Sequence, residues 1–164
     1  MPRASVMQSG SSTYPRLRTV EYGDRAEWLR MRIALWPNVS HEKLQAEMHN
    51  YLGIGGHSSG LVAFVVACGS QRLGAFLEAS LRPYAEDCET HPIGYIEGWY
   101  VDEDLRRQGW GRELVLAAER WAAKNGCREM ASDAVLGNEA SLSSHLALGY
   151  EESSRVIHLR KFLQ

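Results

Sequence analysis

Two kinds of apolar spacing divide the chain into predicted strands and helices. Runs of β-branched and aromatic residues are typical of strands, and apolar residues three or four positions apart are typical of helices. Strands are expected at 16–20, 61–68, 73–81, 95–101, 128–134 and 155–163. Helices are expected from Asp24 to about Trp36, from Ser40 to Leu52, from Glu113 to Asn125 and from Asn138 to Leu148. The order β-α-α-β-β-β-α-β-α-β predicts an α+β fold around one central sheet.

Residues at the ends of the predicted elements support these boundaries. Asp24 and Ser40 belong to the residue types that cap helix N-termini, and Pro37 follows the first helix, which it stops. Gly126 follows the third helix, where a glycine often ends a helix. The segment 69–72 separates two apolar runs and predicts a β-hairpin.

The composition indicates a globular domain and excludes several classes of protein. With 164 residues, of which 45% are hydrophobic and 23% charged, the chain matches one ordinary domain. We expect this domain at 16–164, after a mobile polar leader at 1–15. No apolar run approaches the roughly 18 residues that a membrane span requires. The net charge of −2 disfavours a nucleic-acid-binding protein, which needs a basic face.

The spacing of cysteines and histidines argues against a metal site. The three cysteines, Cys68, Cys88 and Cys127, are odd in number and far apart, so they form no metal-ligand pair. Free thiols are typical of the reducing cytoplasm. Five of the six histidines show no ligand spacing, and no metal is expected.

The part of the chain that carries chemistry is the predicted strand 95–101 with the loop and helix that follow it. The loop 106–111 places two glycines and three cationic or amide side chains within six residues. A helix that starts after such a loop presents unpaired backbone N–H groups and the positive end of its dipole. An anion, most often a phosphate, binds at such a position. We therefore expect a phosphate-bearing ligand at this loop.

Two sequence patterns resemble the GNAT superfamily of N-acetyltransferases. The pattern Arg-x-x-Gly-x-Gly at 106–111 resembles the acetyl-CoA loop of that family. The pattern Asn138-x-x-Ser141-x3-His145-x3-Gly149-Tyr150 resembles the helix that flanks the cofactor thiol. A further likeness, to the aminoglycoside 6′-N-acetyltransferases, covers roughly 16–163 and includes the segments 28–36, 77–80, 98–101 and 131–134. The resemblance implies a mixed, mostly antiparallel sheet flanked by helices.

The resemblance also implies acetyl-CoA as the cosubstrate. Backbone N–H groups at 107–112 would cradle its pyrophosphate, and Gly109 and Gly111 would let the backbone approach it closely. The strand would hydrogen-bond the pantetheine arm, and an N–H near Tyr100 or Val101 would stabilise the oxyanion. Cofactor contacts are expected from Trp99, Tyr100, Val101, Arg107, Gln108, Gly109, Trp110, Gly111, Arg112 and Asn138.

Three positions leave alternatives open. Gly98 marks a bulge that distorts its strand, or it packs against Trp99. Asn138 bonds the cofactor, or it caps its helix. His145 stands where the family often has a tyrosine that protonates the departing thiolate. It either donates that proton or only bonds the cofactor.

Acidic residues on separate strands predict a cleft for a polycationic amine. Glu78, Glu97 and Asp133 lie on three predicted strands, and carboxylates in one cleft attract and hydrogen-bond ammonium groups. Glu97, in the middle of an apolar strand, is the candidate base that takes a proton from the attacking amine. The resemblance implies contacts of Trp36 and Tyr84 with a sugar ring.

The expected activity is acetyl transfer to the 6′-amino group of an aminoglycoside, by direct attack of the amine on the thioester in a ternary complex, which would confer antibiotic resistance. Two alternatives remain: the same transfer to a polyamine, small metabolite or protein amine, and a CoA-binding module without catalysis. The resemblance also implies a homodimer, in which Glu152 would reach a substrate and the last strand would offer an edge for pairing. The free cysteines indicate the cytoplasm as its location. No nucleic-acid or membrane partner is expected.

Overall fold

The computed structural model describes residues 14–52 and 60–163, so the predicted leader lies, except for Tyr14 and Pro15, outside the described residues. The strands are β1 (Arg16–Thr19), β2 (Leu61–Ala67), β3 (Leu73–Arg82), β4 (Ile93–Val101) and β5 (Met130–Ser132). The α-helices are α1 (Arg25–Leu35), α2 (His41–Tyr51), α3 (Trp110–Lys124) and α4 (Glu139–Ala147). Short 3-10 helices occupy Tyr22–Asp24 and Glu103–Leu105. In these described segments, no helix has the length and apolarity that crossing a membrane would require.

The strands form one mixed sheet, as the sequence predicts. Its order is β1-β2-β3-β4-β5, and neighbouring strands are antiparallel except for β4 and β5, which are parallel. A parallel pair requires a crossover connection, and α3 supplies it. The β2–β3 hairpin forms where it is expected. The predicted fold class, α+β with a mostly antiparallel sheet flanked by helices, is therefore confirmed.

Helices cover both faces of the sheet. On one face, Trp28 of α1 and Met48 of α2 pack in a buried cluster with Phe76 of β3. On the other face, Leu114 of α3 packs in a second cluster with Leu77 of β3. Phe76 and Leu77 are consecutive on one strand, so their side chains point to opposite faces. Burial on both faces explains why β2 and β3 are almost continuously apolar.

A β-bulge lies in β4 at Glu97. Glu78 lies opposite Gly98, and the next pair is Ala79 opposite Ile96, so Glu97 is the extra residue on β4. A bulge leaves one residue unpaired and bends its strand. The distortion that the sequence predicts beside Gly98 is thereby confirmed.

The bulge changes which side chains of β4 face each layer. Ile96 and Trp99 both pack in the cluster on the α3 face, although residues three apart on a regular strand point to opposite faces. Tyr100 consequently faces the other layer, where it packs with Phe76 and Trp36. The extra residue thus places Trp99 on the α3 face and Tyr100 on the opposite face of the sheet.

The predicted helix caps form at α2 and α4 but not at α1. The side chains of Ser40 and Asn138 accept backbone N–H bonds at the starts of α2 and α4. Asp24 precedes α1 but makes no capping bond to it. Its carboxylate instead binds the Arg18 guanidinium and the backbone N–H of Glu21. The prediction that Asp24 caps α1 is wrong, because Arg18 of β1 binds the carboxylate instead.

The predicted last strand, 155–163, does not form. Residues 151–163 adopt no regular secondary structure, and Ile157 and Leu159 are 87% and 91% exposed. Alternating apolar residues specify which side chains share a face, but a strand also needs a neighbour that pairs with its backbone. The strand predicted at 128–134 is likewise shorter, at Met130–Ser132.

Candidate active site

The loop between β4 and α3 ends in a helix start with free backbone donors. The first backbone bond of α3 runs from Glu113 N to Gly109 O over 3.1 Å, so the N–H groups of residues 110–112 have no acceptor within the helix. Gly109 has a φ of 89°, a left-handed conformation that glycine adopts without strain. The donors and the positive helix end together form an anion site.

The polar side chains of this loop have two different roles. Arg107 and Arg112 are exposed beside the start of α3, where they are available to an anionic ligand. The amide Nε2 of Gln108 instead donates to the backbone oxygen of Asp104 over 2.6 Å. Gln108 therefore stabilises the loop through its side chain.

Gly111 lets α3 approach β4. A Cβ at position 111 would lie 2.9 Å from Cζ2 of Trp99, closer than such atoms pack. The indole N–H of Trp99 is buried and has no hydrogen-bond partner among the described residues. Buried donors are usually satisfied by protein, water or ligand. Helix N–H groups, two arginines and this indole form a donor set that fits a phosphate-bearing ligand such as acetyl-CoA.

β4 and β5 separate beyond a short ladder. They pair at three positions only, and the last pair is Ile96 opposite Ser132. Beyond the bulge, residues 98–101 continue β4 against β3 alone. The backbone of β4 therefore borders a gap beyond this ladder.

The register identifies which backbone groups face this gap. Asp102 N donates to Gly74 O over 2.8 Å, so Asp102 bonds to β3. Because hydrogen bonding alternates along an antiparallel strand, Tyr100 also directs its N–H to β3. Trp99 and Val101 direct theirs into the gap. Of the two positions predicted to supply the oxyanion N–H, the register favours Val101 over Tyr100.

His145 lies beside the gap with both ring nitrogens engaged. Its ring is 9% exposed and meets the Trp99 ring edge-on, with 5.3 Å between the ring centroids. Nδ1 lies 2.8 Å from the carbonyl oxygen of Ser141, which only accepts, so Nδ1 carries the hydrogen. Nε2 then accepts from the Ser132 hydroxyl over 2.9 Å. This arrangement favours a positioning role for His145 over direct proton donation.

Glu97 and Asp133 meet three residues that the sequence analysis does not single out: Ser80, Arg82 and Tyr95. The Ser80 hydroxyl donates to Glu97, and Arg82 binds both of its carboxylate oxygens, over 3.0 and 2.6 Å. The Tyr95 hydroxyl donates to Asp133 over 2.9 Å. The Arg82 guanidinium carbon lies 3.3 Å from the centre of the Tyr95 ring. We call these five residues the Glu97 cluster.

The Tyr95 hydroxyl is held as a hydrogen-bond donor within this cluster. Burial raises its pKa above the ordinary value, and the hydrogen bond to Asp133 raises the pKa further. The hydroxyl therefore stays protonated at neutral pH. Its donation to Asp133 connects β4 to the residue that follows β5.

Glu78 lies inside the protein rather than at the surface of the cluster. It is 2% exposed, and Arg32 binds both of its oxygens over 2.6 Å while the Trp28 indole N–H donates over 2.9 Å. Burial raises the pKa of Glu78 to about 7, and the Arg32 guanidinium opposes this rise. The structure does not place Glu78 where a substrate would touch it. Its contacts hold α1 against β3.

Trp36 is fixed directly over the bulge. A Cβ at position 98 would lie 2.5 Å from Cη2 of Trp36, so Gly98 packs closely against Trp36. The Arg32 guanidinium carbon lies 4.8 Å from the Trp36 ring centre. The predicted sugar-binding tryptophan therefore lies at the same bulge as Glu97.

Tyr84 and Glu152 lie apart from the contacts of the cluster. Tyr84 is 65% exposed in the loop after β3. Glu152 lies in the segment 151–163, where Arg155 binds its carboxylate. Asn138 caps α4 through its side chain, which confirms one of its two predicted roles. Substrate or cofactor contacts from these three residues stay predictions.

A spacing signal exists for the residues that sequence reasoning missed. Ser80 and Arg82 follow Glu78 at intervals of two, so all three share one face of β3. Their partner on β4 depends on the bulge, and the bulge alters the register in a way that alternation does not predict.

Metal-binding groups do not assemble in the part of the chain that the structure describes. None of its His, Cys, Asp and Glu residues form a group of three or more that would hold an ion. Cys68, Cys88 and Cys127 are free.

Comparison with known proteins agrees with this geometry. The profile of the acetyltransferase (GNAT) family matches residues 25–150. The chain is 45% identical over 147 residues to an aminoglycoside N(6′)-acetyltransferase type 1 of Klebsiella aerogenes, covering 90% of this chain and 96% of that protein. It is 40% identical over 137 residues to the protein of the same name from Serratia marcescens, covering 83% and 91%. The solved structure of AAC(6′)-Iy in complex with the bisubstrate analogue CoA-S-monomethyl-acetylneamine superposes with a TM-score of 0.82 at 31% identity, over 92% of this chain and 99% of that one.

Proposed function

This chain belongs to the GNAT family of acetyltransferases, and we propose that it transfers the acetyl group of acetyl-CoA to the 6′-amino group of aminoglycoside antibiotics. The observation that carries the proposal is the gap between β4 and β5, which has the anion site of α3 at one end and the Glu97 cluster beside it. The names of the relatives support the acceptor. The bisubstrate analogue bound by a solved relative supports a ternary complex.

The residues around the gap have separate roles in the proposed reaction. Acetyl-CoA supplies an acetyl group activated as a thioester. The neutral amine attacks the acetyl carbon, the C–N bond forms, the C–S bond breaks, and the thiolate leaves. We assign stabilisation of the developing oxyanion to the Val101 N–H, which points into the gap. Glu97 accepts the proton that the amine loses, while Arg107, Arg112 and the N–H groups of residues 110–112 hold the pyrophosphate.

His145 acts in this proposal by positioning the Ser132 hydroxyl at the edge of the gap. Its Nε2 accepts from Ser132, so the serine oxygen is oriented by a buried ring. A thiol has a pKa of about 8.5, so the departing thiolate does not require a strong acid. Solvent is sufficient as its hydrogen-bond donor, since the Ser132 hydroxyl already donates its hydrogen to His145.

The acceptor side suits a polycationic sugar. Asp133 receives a second ammonium group of the acceptor, and Trp36 packs against a sugar ring at the bulge. Tyr84 and Glu152 add contacts at the rim. Carboxylates that converge on one site attract such a substrate electrostatically.

We further propose that residues 16–164 act as one catalytic domain in a cytoplasmic homodimer. The apolar side chains of the segment 151–163 are exposed in the single chain, and exposed apolar patches mark interaction surfaces. A second copy would cover them and would bring Glu152 close to its acceptor site. The cytoplasm contains acetyl-CoA and keeps cysteines such as Cys68 and Cys88 reduced.

Thiol release from acetyl-CoA by the purified protein tests the function directly. We expect release with kanamycin and with amikacin, and none with spermidine; mapping of the acetylated position then distinguishes the 6′-amine from the others. Release with spermidine alone would favour the polyamine alternative. If none of the three amines causes thiol release, the result would favour a CoA-binding module and would contradict the proposal.

Glu97→Gln tests the assignment of the base. We expect kcat to fall by about 10²–10⁴-fold, because general-base catalysis contributes that much, while the Kd for acetyl-CoA stays unchanged. Glu86→Gln, an exposed carboxyl in the loop after β3, serves as the matched control. The assignment is wrong if kcat and acetyl-CoA affinity fall together or if neither changes.

A further inference from the structure

Arg82 places a cation on the carboxylate that we assign to the acceptor amine. Its Nε lies 3.0 Å from Oε1 of Glu97, and a terminal nitrogen lies 2.6 Å from Oε2. The guanidinium also covers the face of the Tyr95 ring. A carboxylate and an aromatic face are the partners that an organic ammonium group prefers. The protein thus fills an ammonium position with one of its own side chains.

Two buried or partly buried arginine–glutamate pairs lie near the bulge, and only one of them is accessible. The side chains of Arg32 and Glu78 are each 2% exposed, so separating them would leave a charge buried without a partner. The side chains of Arg82 and Glu97 are 36% and 28% exposed. Separating this pair allows water to solvate both groups, and such pairs contribute little net stability. Arg82 is therefore the arginine that can leave its carboxylate.

The location of Arg82 also permits it to move. It is the last residue of β3, and the loop of residues 83–92 follows it. A long side chain at a strand end can rotate away without disturbing the ladder. Arg32 has no such freedom, because it lies within α1 between Glu78 and Glu47.

Arg82 and Ser80 already occupy most of the acceptor positions of the Glu97 carboxylate. Oε1 accepts from both Ser80 and Arg82, and Oε2 accepts from Arg82. Withdrawal of Arg82 therefore frees an acceptor position on each oxygen of Glu97 for the amine.

We propose that Arg82 is an internal cation that occupies the ammonium position of the acceptor site and is displaced when the acceptor binds. This inference rests on the proposed function, because it takes Glu97 as the carboxylate that receives the amine. A polycationic acceptor replaces the guanidinium at Glu97 with one group and binds Asp133 with another. A monoamine only restores the interaction that Arg82 already makes. Arg82 thus selects acceptors that carry several ammonium groups.

Calorimetric binding of kanamycin in the presence of CoA, which carries no acetyl group and allows no turnover, tests the displacement. We expect Arg82→Gln to lower the Kd by about three- to fivefold, because the exposed ion pair no longer has to be broken. Arg16→Gln is the matched control, since it removes an exposed cation from β1 at the far edge of the sheet. Its effect through net charge alone should be less than about twofold.

Two further variants separate displacement from a structural role. In a Glu97→Gln background the ion pair is already absent, so adding Arg82→Gln should give no tightening. Arg82→Lys keeps the charge but loses the bidentate fork, so its Kd should lie between the wild-type and Arg82→Gln values. A structural role would predict weaker binding in every Arg82 variant. Unchanged or weaker binding in Arg82→Gln, or an equal gain in Arg16→Gln, would overturn the proposal.

Spermidine, a second polycation, lets failure of this inference be distinguished from failure of the proposed function. Kanamycin acetylation by the wild-type enzyme is measured separately and decides the proposed function alone. If that acetylation is absent, tighter spermidine binding in Arg82→Gln still supports displacement, and no tightening with either ligand rejects it.

Discussion

Gly98 shows how one absent Cβ positions the acceptor side of the site. Trp36 lies over this residue so closely that a Cβ would reach 2.5 Å from Cη2 and 2.7 Å from Cζ2 of its ring. The ring is held from above by Arg32. Any side chain at position 98 must therefore displace the tryptophan.

Gly98→Ala should lower stability by about 1–3 kcal/mol, the usual effect of overpacking a filled site. It should also raise the KM for kanamycin, because Trp36 leaves the bulge. Thermal unfolding and steady-state kinetics measure the two effects.

Gly23→Ala is the matched control for this change, since nothing lies within 4 Å of a Cβ at position 23. Its effect on stability should stay within about 0.5 kcal/mol. Equal stability of the two alanine variants would show that Trp36 is not held in the described position.

At the scale of elements, an ion pair connects β1 to the start of α1. Arg18 of β1 binds both oxygens of Asp24 over 2.6 and 2.8 Å, and the Glu21 backbone N–H also donates to Asp24. Burial opposes the charged form of Asp24, but these hydrogen bonds outweigh it and lower its pKa below 3.8. The pair orients the helix that carries Arg32 and precedes Trp36.

Asp24→Asn should lower the free energy of unfolding by about 1–2 kcal/mol at pH 7, since a charged hydrogen-bonding partner is lost. Because the folded-state pKa lies below the unfolded value of 3.8, the stabilisation is complete above that value and is lost as the pH falls through the folded-state pKa. The difference between variant and wild type should therefore shrink below pH 3.8. Denaturant unfolding across this pH range measures it.

Asp104→Asn provides the comparison for Asp24→Asn. Asp104 pairs with Arg72, and these two side chains are 57% and 47% exposed. An exposed pair of this kind contributes roughly 0–1 kcal/mol. The Arg18–Asp24 pair does not stabilise the protein as described if Asp24→Asn lowers the free energy of unfolding no more than Asp104→Asn does. The same conclusion follows if the effect of Asp24→Asn on this free energy grows in acid.

At the scale of the whole molecule, the segment 151–163 exposes apolar side chains that no other part of the described chain covers. Ile157, Leu159 and Phe162 are 80% or more exposed. The sheet ends at β5, which has three residues. Both features support the proposed dimer.

Ile157→Asp together with Leu159→Asp should therefore convert the protein from a dimer to a monomer. Each buried aliphatic side chain contributes about 1.5–3 kcal/mol, so the dimer Kd should rise by at least about tenfold. Sedimentation equilibrium measures the mass against the 18.4 kDa of one chain. Val135→Asp, at a 79% exposed apolar residue between β5 and α4, is the control. A monomeric wild type, or a dimer that survives both aspartates, would contradict the proposal.

The sequence by itself determined most of the elements and the free backbone donors at the start of α3, because both depend on near neighbours in the chain. Apolar periodicity specifies which residues share a face, and it placed all four helices and five of the six predicted strands. Glycines directly before an amphipathic helix specify free N–H groups at its start. Glu97 could be selected as the candidate base because a charge in an apolar strand is rare.

Only the tertiary structure decided how the acceptor side is assembled, because contacts between distant residues depend on register and on competition between partners. The bulge at Glu97 determined that Arg82 and Ser80 bind this carboxylate. Because α1 covers Glu78, this carboxylate is buried and is not exposed to a substrate. The last predicted strand failed for the same reason, since alternation within a segment does not supply the neighbour that its backbone needs.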